Sequence, residues 1–145
     1  MDKDVTDTYL DLALVPQQEL TVTLRSGGGS VDGTVTTSSD AANNYRVVLV
    51  RSINGSSPVS SLELRIVSVA ADGKFHVENI RPGSYHAIAV SNAIVGLDDP
   101  DVLREIGALG ENLSVERDAR LQIELHPLSR SDWEALIDRA RAVAP

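Results

Sequence analysis

Residues 70–90, AADGKFHVENIRPGSYHAIAV, constrain the fold of this chain more than any other stretch. Two runs in which apolar and polar residues alternate are separated by Arg81-Pro82-Gly83 and preceded by Asp72-Gly73. A period of two is the signature of a strand with one face buried. Asp-Gly favours a tight turn with positive φ. Pro82 presets φ near about −65°, and Gly83 tolerates positive values. Short strands joined by sharp turns are therefore the expected building unit.

The same punctuation recurs along the chain. TYLDLALV (8–15) and ELTVTLR (19–25) read as a hairpin around Pro16-Gln17-Gln18, and SGGGS (26–30) as a linker or a crossing between sheets. VDGTVTT (31–37) is a strand whose internal Gly33 indicates a bulge or a close backbone approach. YRVVLVRSI (45–53) is apolar on both sides in its middle, which suits a central strand. LELRIVSV (62–69) places Leu62, Leu64 and Ile66 on one face, and Asp72-Gly73 is expected to close a hairpin between residues 62–71 and 74–79. NLSVE (112–116) and ARLQIEL (119–125) predict a last hairpin around Arg117-Asp118. This spacing of strands and turns specifies an all-β sandwich or barrel.

Two segments break the pattern. DDPDVLREIG (98–107) reads as a short helix with Asp99 at the N-cap, Pro100 in the first helical position, and Gly107 or Gly110 at the end. In residues 129–144, Trp133, Leu136, Ile137, Ala140 and Val143 fall on one helical stripe, and Ser131 with Glu134 has the spacing of a capping box.

A length of 145 residues suits one ordinary domain, or one domain plus part of a neighbour. With one Trp, one Phe and three Tyr, the core must come from Val, Leu, Ile and Ala. The net charge of −8 and pI near 4.7 argue against nucleic acid and against an anionic membrane surface. No apolar run approaches the ~20 residues of a membrane span. The start, Met1-Asp2-Lys3-Asp4, lacks the pattern of a signal peptide, which leaves a cytoplasmic protein or a piece of a longer chain. The absence of cysteine removes disulfides, thiolate nucleophiles and Cys-based zinc sites.

Candidate chemistry is sparse. If residues 75–79 and 84–90 pair, His76 and His86 fall on neighbouring strands, but zinc needs three or four ligands and no third is apparent. The plainer account makes both polar residues on the solvent side. Asp98, Asp99 and Asp101 have carboxylates for calcium, yet the same order is what a helix start requires. No G-x-S-x-G elbow or P-loop is present. An intramolecular isopeptide needs a buried lysine, and Lys3 and Lys74 lie in a polar tail and a turn. Sugar sites stack exposed aromatics on the ring. Trp133 sits on an apolar stripe, leaving only Tyr9 and Tyr45.

The ordered set GGGSVDGTV, YRVVLV and ADGKFHVENIRPGSYHAIAV resembles the carboxypeptidase-regulatory-like domain family over roughly residues 29–128. The residues that carry it are Gly33 and Val35, then Asp72, Gly73 and Phe75, then Pro82, Gly83 and Tyr85. The resemblance implies a transthyretin-like (prealbumin-like) Greek-key β-sandwich, here with a short inserted helix and a C-terminal amphipathic helix. Ala87 and Ala89 stand where the family has a long residue, and Trp133 is one bulky group to fill that space. The implied organisation is a junction with a preceding domain (1–26), the sandwich (27–128), and a helix (129–145) packed through Trp133, Leu136, Ile137 and Ala140.

The expectation is a non-catalytic structural or interaction module without cofactor or metal, an accessory or spacer domain of a larger bacterial extracytoplasmic protein. Its partners would be proteins or neighbouring domains of the same chain. A carbohydrate-binding module is the alternative. If the Trp133 stripe is not satisfied within the chain, it becomes a homodimer surface.

Overall fold

A computed structural model describes residues 21, 23, 27–38, 41–52 and 64–143. Apart from residues 21 and 23, the expected hairpin over 8–25 lies outside the described residues, as does the loop after residue 52. Within them the protein is mostly β, with two sheets and two helices. The strands are β1 (Gly29–Val35), β2 (Tyr45–Ser52), β3 (Leu64–Ser68), β4 (Lys74–Ile80), β5 (Gly83–Ser91), β6 (Glu111–Val115) and β7 (Arg120–Leu125). Helix α1 (Pro100–Leu109) separates β5 from β6, and α2 (Arg130–Val143) follows β7.

One sheet has the order β4-β1-β7 and the other β3-β2-β5-β6. Between these strands all pairings are antiparallel except β1 with β7, which is parallel; an isolated parallel bridge also joins Ala89 to Pro127. The inner faces enclose a first core. Val31, Val35, Phe75, Val77 and Leu125 come from the three-stranded sheet, and Val47, Leu49, Tyr85, Ala87, Ala89 and Val115 from the four-stranded one. The outer face of the four-stranded sheet supplies Val48, Val50, Ile88 and Val90 to a second core under the helices, with Val102, Leu103 and Ile106 of α1 and Leu136 and Ala140 of α2. The described residues thus form three layers: sheet, sheet and helix pair.

The sheet assignment corrects three expectations. β3 and β4 do not pair; they lie in different sheets. Asp72-Gly73 carries the chain across the sandwich, with Gly73 at φ +85° and its N–H donating to the Ala70 carbonyl at 2.9 Å. Arg117-Asp118 is a crossing as well, because β6 and β7 belong to opposite sheets. A turn signal dictates reversal of the chain, and a reversal looks the same locally whether the returning strand joins its neighbour or the facing sheet. The third correction concerns Ala87 and Ala89. They face the first core, whereas Trp133 packs on the opposite face of β5.

The alternation in β3 is offset too. Leu64 packs toward the helices, Ile66 is 47% exposed, and Val67 and Val69 face the sandwich interior. At the helix starts, Asp99 accepts from the Asp101 N–H at 2.9 Å. For α2 the capping residue is Ser129 rather than Ser131. Its Oγ accepts from the Asp132 N–H at 3.1 Å and donates to the Asp132 carboxylate at 2.6 Å. Asp132 therefore holds the reciprocal position, and Glu134 pairs with Arg130 at 3.1 Å instead. Arg139 of α2 donates to Glu105 of α1 at 3.0 Å, tying the helices together.

Gly33 is a close approach. A Cβ there would lie 2.3 Å from Phe75 Cζ and 2.9 Å from the Ile123 carbonyl oxygen. The Phe75 ring occupies the space above β1 that any side chain would need. Gly33→Ala should therefore destabilise the fold by about 1–3 kcal/mol through overpacking. Urea denaturation checks this, and the penalty should shrink in a Phe75→Leu background, where the ring is gone.

Candidate functional site

The outer face of the three-stranded sheet is the first place where polar side chains converge. Alternation along β1, β4 and β7 sends Asp32 and Thr34, then Lys74, His76 and Glu78, then Arg120, Gln122 and Glu124 to solvent. The register sets Asp32 between His76 and Gln122, and Thr34 between Lys74 and Glu124. A shallow depression of about 480 Å³ lies there, floored by the backbone of Gly33.

His76 is its centre. Its Nδ1 lies 2.5 Å from Asp32 Oδ1 and its Nε2 lies 2.9 Å from Glu78 Oε1. An ionised carboxylate only accepts, so satisfying both contacts requires a proton on each ring nitrogen. Both contacts favour the imidazolium: the hydrogen bonds to Glu78 and then to Asp32 raise the His76 pKa above its usual value near 6.5. The two carboxylates sit on opposite sides of the ring, so they cannot join one ring nitrogen around a single metal ion. Among the described residues, no group of three or more His, Asp and Glu is placed to hold a metal.

His86 is not a neighbour of His76. It lies on β5 in the other sheet, so the pairing of the two histidines is corrected. Asp99 caps α1 and Asp101 forms an ion pair with Arg104 at 2.6 Å. Asp98, Asp99 and Asp101 thus start a helix; His126 is exposed beyond β7. Phe75 and Tyr85 are buried in the first core with Val35, while Asp72, Gly73, Pro82 and Gly83 form the crossings at either end of β4. The Tyr85 hydroxyl donates to the Arg81 carbonyl at 2.8 Å, pinning the turn four residues upstream. Trp133 and Ile137 pack against the second core around Leu136 and Ala140. Tyr45 packs against the first core. No described aromatic therefore stands free as a stacking platform; Tyr9 lies outside the described residues. The Asp32 partner of His76 was not legible, because Asp32 is far away in sequence and only the register of β1 with β4 brings it opposite.

No family model and no curated protein matches the sequence. Two similar solved structures are bacterial. A DUF3823 family protein from Bacteroides ovatus ATCC 8483 is 15% identical with a TM-score of 0.37, covering 68% of this chain and 44% of its own. The chain thus spans less than half the length of that protein. A Pseudomonas aeruginosa protein described as a "putative carbohydrate binding protein" is 17% identical with a TM-score of 0.39, covering 80% of this chain and 99% of its own. At such identities and scores neither supplies an argument about ligand or activity. Among the described residues, no helix is long and apolar enough to cross a membrane.

Two outcomes follow. His76 should titrate above about 6.5 by NMR of its ring protons, and Asp32→Asn should lower that value. Because the folded value is raised, the stability it contributes is fully present below about 6.5 and is lost as pH rises through the folded value. Melting curves on either side of that range, compared with His76→Gln, read this out. Separately, Tyr85→Phe should cost about 1 kcal/mol in urea denaturation through loss of the bond to Arg81.

Proposed function

We propose that this chain is a non-catalytic structural or interaction module, with the transthyretin-like Greek-key topology of carboxypeptidase-regulatory-like domains. In this reading it is an accessory or spacer domain of a larger bacterial extracytoplasmic protein. Residues 1–26 form the junction with a preceding domain, residues 27–128 the sandwich, and residues 129–145 the helix that closes its outer face.

The observation that supports the reading is where the motif residues go. Gly33, Asp72, Gly73, Phe75, Pro82, Gly83 and Tyr85 all serve turns, a close approach or the first core. What is presented outward is a rigid sheet whose polar groups are joined across the strands, as in the contact of the Thr36 hydroxyl with Glu124 at 2.8 Å. Such a face suits contact with a protein or a neighbouring domain through a polar rim rather than chemistry in a closed cleft.

The test is turnover. The full chain should show no hydrolysis of chromogenic ester, phosphate, glycoside and peptide substrates above a heat-denatured control. Turnover abolished by His76→Ala or His86→Ala, in variants that keep the native amide spectrum, would overturn the non-catalytic reading.

A further inference from the structure

Strand β7 ends the three-stranded sheet, and among the described residues only β1 pairs with it. Two hydrogen bonds fix which backbone groups it leaves open. The Ser30 N–H donates to the Ala119 carbonyl at 2.8 Å, and the Thr36 N–H donates to the Leu125 carbonyl at 3.0 Å. Backbone groups alternate in direction along a strand, so Leu121 and Ile123 also face β1. Arg120, Gln122 and Glu124 therefore aim their N–H and C=O groups away from the sheet, where no described residue bonds to them. Edge strands are commonly blunted by proline, bulges or inward charges. β7 has none of these: its register with β1 is unbroken, and its inward residues are Leu121, Ile123 and Leu125. Leu121 and Ile123 pack on the first core but are only half-buried. A strand beside β7 would satisfy its backbone and cover these two side chains.

The sequence of β7 says which strand fits. Read against its own reverse about Gln122, RLQIE is complementary at every position. Consider two copies paired antiparallel with Gln122 opposite the partner's Gln122. Arg120 then stands opposite the partner's Glu124, and Glu124 opposite the partner's Arg120. On the inner face Leu121 meets the partner's Ile123. The backbone agrees with this register. The three residues with open groups fall in the hydrogen-bonded pairs, each pair exchanging both N–H to C=O bonds. A slip of two residues either way keeps that phase but sets Gln122 against Arg120 or Glu124, so both ion pairs are lost. The charges therefore select one register. Arg120 is exposed and has no ion pair with a described residue. Glu124 accepts from the Thr36 hydroxyl through Oε1 at 2.8 Å, which leaves Oε2 for a guanidinium.

The other edges do not offer this match. β3 and β6 carry one charged residue each, Arg65 and Glu111, so neither can pair with its own copy through opposite charges. β4 comes nearer, because Lys74 and Glu78 flank His76 symmetrically. Its edge is already in use, however. Gly73 bonds to β1 through the Val35 N–H, so Lys74 points outward, and the Lys74 carbonyl accepts from the Ala70 N–H at 2.9 Å. Glu78 is held by His76 at 2.9 Å. We infer that β7 is the interface of a homodimer, in which two copies join edge to edge about a dyad at Gln122 and form one continuous sheet, β4-β1-β7-β7-β1-β4. A contact one strand of 6 residues long is small beside the roughly 1,600 Å² of a standard interface. The dissociation constant therefore belongs near about 100 μM. The dimer goes beyond the non-catalytic reading and does not rest on it.

The experiment is sedimentation equilibrium of the full chain from about 5 μM to about 1 mM at low ionic strength. The expected result is a monomer–dimer equilibrium that weakens as salt is added. Gln122→Pro removes the N–H at the dyad without touching the bonds to β1, at an edge where proline is tolerated, and should abolish association. Arg120→Glu and Glu124→Arg should each weaken it by about tenfold or more, because like charges then oppose one another. An equimolar mixture of those two variants should associate, since their charges are complementary again. The amide spectrum of each variant alone reports that it is folded. A chain that stays monomeric up to about 1 mM overturns the proposal, as does a dimer that survives Gln122→Pro. Failure of the mixture to associate overturns it too. In a mixture of labelled and unlabelled chain, contacts between copies should join the Arg120 amide to the partner's Glu124 amide. Contacts from the Gln122 amide to residues 19–25 of its own chain would overturn the dimer, by assigning the edge to that segment. A monomeric result leaves the non-catalytic reading intact, and turnover of a chromogenic substrate leaves the dimer intact, so the two readings fall separately.

Discussion

β2 and β5 pair along their whole shared length, from Tyr45 opposite Ser91 to Ser52 opposite Ser84. Both strands bury side chains on both faces. Val47, Leu49, Ala87 and Ala89 point into the sandwich, and Val48, Val50, Ile88 and Val90 point to the helices. Each buried Val, Leu or Ile contributes about 1.5–3 kcal/mol relative to exposure. A ladder apolar on both sides cannot stand at a surface, so it requires a covering layer above and below. The three-stranded sheet provides one and the helix pair the other. This requirement places α1 and α2 on the same side, although α1 interrupts the strand sequence and α2 ends it.

The small residues of β5 have a physical role in that arrangement. The small side chains of Ala87 and Ala89 face the first core, where Phe75 of the opposite sheet and Tyr85 of β5 itself supply the bulk. Phe75 in turn demands the missing side chain at Gly33. The end of β5 is secured differently. The Leu128 N–H donates to the Ala89 carbonyl at 2.9 Å, filling the edge position beyond the last β6 pairing and guiding the chain from β7 to the helix layer. Arg46 donates to the Ile94 carbonyl and holds the loop before α1 against the same ladder.

The two outer surfaces have different chemistry for the same reason. Among the described residues no element covers the outer face of the three-stranded sheet, and its outward residues are polar, with Asp32, His76 and Glu78 paired to one another. The four-stranded sheet is apolar outward wherever the helices reach. Past Gly110 it turns polar, with His86 opposite Asn112 and Ser84 between Ser52 and Ser114.

Much was determined by the sequence alone. Alternation set the strands, the two-sided apolar run marked β2 as central, Asp99-Pro100 started α1, and the spacing of Trp133, Leu136, Ile137 and Ala140 defined the buried stripe of α2. These are local matters, decided by periodicity and by the backbone freedom of individual residues. The tertiary structure alone decided which strands share a sheet. Asp72-Gly73 and Arg117-Asp118 reverse the chain in either case, and only competition among all the strands for partners makes them crossings instead of hairpins. The same competition separates His76 from His86, sets Asp32 beside His76, and aligns Ser52, Ser84 and Ser114. Each of these depends on register between distant segments, which no local pattern encodes.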